Sequence, residues 1–127
     1  MNDLNSKTIA VVGVSRNKTK YGFKVFEDLL NAGYAVFDVN PNADYIPDQR
    51  IYNTLYELPE KPDIVVTVTP PEVTEKVVDA CLNTGVKEIW VQPGSESEEA
   101  VKKAEKRGIS VIHNACIMIE RSKYRVS

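Results

Sequence analysis

Residues 8–31 read TIAVVGVSRNKTKYGFKVFEDLLN. The segment opens on a continuous apolar run, Ile9-Ala10-Val11-Val12, and reaches Gly13. A polar loop with Arg16, Lys18 and Lys20 follows. Then Gly22, Val25, Phe26, Leu29 and Leu30 recur at the spacing of one helix face. The reading is a strand over about Thr8 to Val14, a loop of phosphate size, and a helix over about Tyr21 to Ala32. In an open α/β sheet, this first turn is where free backbone N–H groups at a helix start meet phosphates.

The same alternation runs outward to the end of the chain. Gly33 closes the first helix. Tyr34 to Val39 reads as a second strand, stopped by Asn40-Pro41. Residues 43–60 read as irregular, with a short edge strand near Arg50 to Tyr52 and a helical turn anchored by Leu55 and Leu58. Ile64-Val65-Val66-Thr67-Val68 has no solvated face, as a central parallel strand requires. Pro71 suits the first turn of the next helix, whose apolar stripe is Val73, Val77, Val78, Cys81 and Leu82. Strands at Glu88 to Gln92 and Ile109 to His113 enclose a helix that Ser95-Glu96-Ser97-Glu98 opens with a capping-box pattern. Met118 to Tyr124 reads as a short terminal helix. Asn31-Ala32-Gly33, Asn83-Thr84-Gly85 and Lys106-Arg107-Gly108 each close a helix just before a strand. This order predicts one doubly wound domain, residues 1–127. Its mainly parallel sheet has five to six strands, with helices on both faces.

The totals narrow the function. The chain has 127 residues, 43% hydrophobic and 27% charged, which suits one globular core. A net charge of −2 offers nucleic acid no general attraction, so an anion site must be local. Cys81, Cys116 and His113 are too few for a Cys/His zinc site, and no metal site is expected. No membrane span or signal peptide is visible, and the expected setting is the reducing cytoplasm. No nucleophilic triad or paired carboxylates emerge, so no catalytic residue is assigned.

A dinucleotide fingerprint needs G-x-G-x-x-G and an acidic residue ending the second strand. This chain has Gly13-Val14-Ser15 and Asn40-Pro41 there, with Asp38 as the nearest carboxylate. NAD is therefore disfavoured.

Gly13-x-Ser15, Tyr21-Gly22, Gly33-Tyr34, Val39-Asn40-Pro41, Thr69-Pro70-Pro71, Trp90-x-Gln92-x-Gly94 and the late Cys116 stand in an order that resembles the CoA-binding domain family. The likeness runs from Thr8 to Glu120. It implies a stand-alone Rossmann-type domain similar to the CoA-binding domain of the succinyl-CoA synthetase α subunit, without that enzyme's other domain or phosphorylated histidine. The chain departs from the family pattern in three places. Asp48 replaces a glycine, Val14 an alanine, and Asn114-Ala115 an Asp-Arg pair. The last removes a basic contact near Cys116.

The ligand implied is coenzyme A or an acyl-CoA. Gly13 allows close backbone approach, and Ser15 can donate to a pyrophosphate. Arg16, ahead of Lys20, can meet a 3′-phosphate bidentately. By resemblance, Val39, Asn40, Pro41, Thr69 and Pro70 flank adenosine and pyrophosphate on what are expected to be adjacent strands. Gln92 and Gly94 lie where pantetheine would pass, with Cys116 near its end. Gly22 and Trp90 read as packing residues, and His113 as structural. A non-catalytic binding module is the leading function. An NAD(P)-dependent oxidoreductase and a CoA-ligase component needing another subunit are the alternatives. A protein partner and self-association stay open.

Overall fold

The computed structural model describes residues 7–13, 21–40, 50–113 and 115–122. Six strands form one sheet: β1 (Thr8–Val12), β2 (Ala35–Val39), β3 (Ile51–Tyr52), β4 (Ile64–Thr67), β5 (Glu88–Val91) and β6 (Ser110–Ile112). Their order is β3-β2-β1-β4-β5-β6, and every pairing is parallel. The helices are α1 (Tyr21–Asn31), α2 (Pro71–Thr84), α3 (Glu98–Lys106) and α4 (Ile117–Ser122), with a 3-10 turn at Leu55–Glu57.

Strand alternation divides the core into two layers. Ala10, Val12, Val65, Ile89 and Val91 pack against Val77, Val78 and Cys81 of α2 and Ala100 and Ala104 of α3. Ile9, Val11, Ile64, Val66 and Trp90 pack on the other side against Phe23, Val25, Phe26 and Leu29 of α1 and Ile117 of α4. The central strands thus bury both faces, which is why they read as unbroken apolar runs. Trp90 is core, and its indole N–H donates to Glu88 Oε2 at 2.8 Å. Cys81 is fully buried, and desolvation pushes its thiol up to about 12.

Two expectations are corrected. The segments ending β2 and β4 are not on adjacent strands, because β1 lies between them. The capping box also fails. The N-cap of α3 is Ser97, whose hydroxyl accepts the Ala100 N–H at 3.2 Å. Ser95 is drawn away because its hydroxyl accepts the Thr69 N–H at 2.9 Å. A buried backbone donor outcompetes a helix start for the same oxygen.

Candidate functional site

An all-parallel sheet puts every strand's C-terminal end on one edge. Gly13, Asn40, Thr69, Gln92 and Cys116, far apart in sequence, therefore follow β1, β2, β4, β5 and β6 along that edge. The order reverses between β1 and β4, and a crevice opens at such a switch point.

Gly13 holds φ +106°, and a Cβ placed on it would lie 2.1 Å from the Val68 carbonyl oxygen. Only glycine fits. Its N–H donates to the Val39 carbonyl at 2.9 Å, and the Val68 N–H donates to the Val12 carbonyl at 2.9 Å. Helix α1 starts at this edge, and no acidic residue lies in its first turn to oppose an anion. Ser15, Arg16, Lys20 and Pro41 lie outside the described residues.

Thr69 differs from expectation in its polar groups. The contacts give one consistent proton path: Thr67 O–H donates to Thr69 Oγ1 (2.6 Å), Thr69 O–H to Thr74 Oγ1 (2.8 Å), and Thr74 O–H to the Pro70 carbonyl (3.3 Å). Hydroxyls linked head to tail polarise one another. With its N–H on Ser95, Thr69 turns its methyl carbon toward Gly13, 3.2 Å from where a Cβ would sit. It shapes the crevice and offers no hydroxyl to it. Pro70 is exposed and precedes Pro71 at the first position of α2.

Val39 helps line a mainly apolar groove of about 260 Å³, with Val12, Leu55, Val73, Lys76 and Val77. Asn40 continues the ladder: its N–H donates to the Tyr52 carbonyl at 2.9 Å. Asp38 is 1% exposed, a poor position for a ribose contact.

The β5–β6 end has another character. Gln92 is fully buried, and its Oε1 accepts the Ile117 N–H at 3.2 Å and the Tyr21 hydroxyl at 3.4 Å. Its Nε2 is buried without a hydrogen-bond partner. Such a donor costs about 1–3 kcal/mol. The Tyr21 oxygen also lies 2.9 Å from Cys116 Sγ. Burial first, then the hydrogen bond and charge of Cys116, hold the Tyr21 hydroxyl well above its ordinary range. Gly94 is exposed in a turn and donates its N–H to Glu96 Oε1 at 2.8 Å. Reading the sequence missed the Tyr21–Cys116 contact and the roles of Thr74 and Ser95. The one available signal was a tyrosine opening an otherwise apolar helix stripe.

Among the described residues, no three His, Cys, Asp or Glu side chains could share a metal, and no helix is long and apolar enough to cross a membrane. His113 lines a separate cavity with Glu96, Glu98, Lys102 and Glu105, away from Cys116 and Gln92.

These features define a Rossmann-like α/β domain with its crevice at the β1–β4 switch point. Residues 7–122 match the CoA binding domain family, and the chain belongs to it. The ADP-forming acetate–CoA ligase II of Archaeoglobus fulgidus is 32% identical over 101 residues, 78% of this chain and 15% of the ligase. The ADP-forming acetate–CoA ligase II subunit alpha of Pyrococcus furiosus is 27% identical over 126 residues, 91% of this chain and 28% of that subunit. A solved structure of a conserved hypothetical protein from Pyrococcus furiosus superposes with TM-score 0.84 at 42% identity, covering 90% of this chain and 98% of that one. The chain therefore spans under a third of the ligase sequences and nearly all of the hypothetical protein.

Proposed function

We propose that this protein binds coenzyme A or an acyl-CoA as a binding module. The observation that supports the reading is Gly13, whose left-handed backbone packs against the Val68 carbonyl at the switch point, so that the β1 and β4 ends meet there without a side chain between them. The pyrophosphate lies over Gly13 and the start of α1, with Ser15 as a donor. Adenosine packs at the Val39–Asn40–Pro41 and Thr69–Pro70 ends, beside the groove lined by Val12 and Val73. Arg16 or Lys20 meets the 3′-phosphate. Pantetheine runs past Gly94 toward Gln92 and Cys116. Two free thiols suit a cytoplasmic setting.

Calorimetry with CoA, dephospho-CoA and NAD tests this. A charged hydrogen bond is worth roughly 1.5–3 kcal/mol, so CoA should bind about ten- to a hundredfold more tightly than either competitor. Arg16→Glu or Lys20→Glu should narrow the gap to dephospho-CoA. Equal affinity for all three ligands in wild type and variants would remove the CoA reading.

A second reading, a ligase component that works with a partner protein, is favoured by the similarity to the acetate–CoA ligases. It predicts CoA-dependent association with that partner, measured by co-elution.

A further inference from the structure

We propose that Cys116 is a thiol–disulfide exchange site for the thiol end of coenzyme A, with Tyr21 and Gln92 as its positioning residues. The inference rests on the CoA-binding reading above and assigns that site a covalent step.

Two independent observations meet at this point. One is the thiol itself. Cys116 is half-buried, and its sulfur touches the hydroxyl of a tyrosine 95 positions away in the chain. Cys81, in contrast, is sealed in the apolar layer under α2. The other is the Gln92 amide, which is fully buried and shares the Tyr21 hydroxyl with Cys116. The Ile117 N–H can only donate, so the amide atom facing it must be the oxygen. That fixes Nε2 as the donor left over. A buried donor on an amide that shares the Tyr21 hydroxyl with a thiol calls for an acceptor brought by a ligand. The pantetheine arm of CoA carries amide carbonyls next to its own thiol, which supplies both partners at once.

Tyr21 completes the arrangement. Its hydroxyl stays protonated at all ordinary pH, so it can donate to sulfur once Cys116 ionises. The step needs only CoA disulfide as oxidant. The Cys116 thiolate attacks one sulfur of that disulfide. The ligand S–S bond breaks, a Cys116–CoA disulfide forms, and the departing CoA thiolate takes the proton that Cys116 released. Cys116 is oxidised and one half of the CoA disulfide is reduced.

The test incubates the full chain with CoA disulfide, or with glutathione disulfide at the same concentration, and follows intact mass and peptide maps. The expected adduct is on Cys116, forms at least tenfold faster with CoA disulfide, and is reversed by dithiothreitol. Cys116→Ser should give no adduct, and Cys81→Ala should keep it. Gln92→Leu should lose the preference for CoA disulfide while still reacting with glutathione disulfide. Tyr21→Phe should move the pH profile of the reaction to higher pH. An adduct on Cys81, none at all, or equal rates with both disulfides would overturn the proposal. Calorimetry with reduced CoA separates the two readings. Binding without an adduct overturns the exchange site alone, and neither binding nor selectivity overturns both.

Discussion

At the β1–β4 end of the crevice, Thr67, Thr69, Thr74 and Ser95 all hydrogen-bond within the protein, whereas at the β5–β6 end Gln92 keeps a buried donor without a partner. The first end is finished before any ligand arrives. Its contribution is shape: a glycine backbone against a carbonyl, with a methyl beside it. The second end holds unmet hydrogen-bonding capacity and a thiol. A cradle needs rigidity and full satisfaction, while a site that discriminates what reaches it needs groups still able to bond.

The contrast can be broken at several points. Gly13→Ala forces a methyl onto the Val68 carbonyl in a left-handed backbone. Strain and overpacking together should cost about 3–5 kcal/mol in urea unfolding, with loss of CoA binding by calorimetry. Next comes Cys81, which anchors the closed half at the far end of α2. Burial raises its thiol from 9.0 to about 12, so its neutral form favours the folded state. Stability from this group is intact below pH 9 and falls as pH rises from 9 to 12, by at most about 4 kcal/mol. Unfolding curves across that range should show a steeper alkaline loss in wild type than in Cys81→Ala. Equal slopes would mean that the thiol is not held neutral.

Thr74→Val cuts the hydroxyl chain and leaves the Thr69 proton without an acceptor. It should cost about 1–3 kcal/mol and lower CoA affinity only through the displaced Thr69 segment. Gly94→Ala sharpens the comparison from the other side. That residue also has positive φ, +92°, but nothing lies within 4 Å of an added Cβ. Only backbone strain remains, about 1 kcal/mol, and thermal unfolding should show that smaller shift.

Most of the fold was legible because its signals are local. The apolar run at Ile64 to Val68, Pro71 at a helix start and the glycines closing three helices need no distant partner to be read. The sheet order was not, since nothing local says that β4 pairs with β1 and so separates the ends of β2 and β4. Ser95 misled for a related reason. Its spacing to Glu98 satisfies a capping box, and only the Thr69 N–H, 26 residues away, claims its hydroxyl. The site divided similarly. The tight turn at Gly13 was legible from its place after a strand. The Tyr21–Cys116–Gln92 contact is wholly tertiary, joining residues 71 and 95 positions apart, and no local spacing signals it.

The parallel sheet also separates two kinds of loop. Among the described residues, the strands end at the crevice edge, and the turns that follow α1, α2 and α3 lie at the opposite edge. At that far edge the Asp63 N–H donates to the Thr8 carbonyl, and Asp63 Oδ2 accepts the Thr8 N–H. The turns at 32–34, 85–87 and 107–109 belong to this edge too, a sheet's length from Gly13 and Gln92. Insertions or fusions made at that far edge should therefore leave the crevice edge with its shape unchanged. The fold behaves as a cartridge whose two edges can be altered separately.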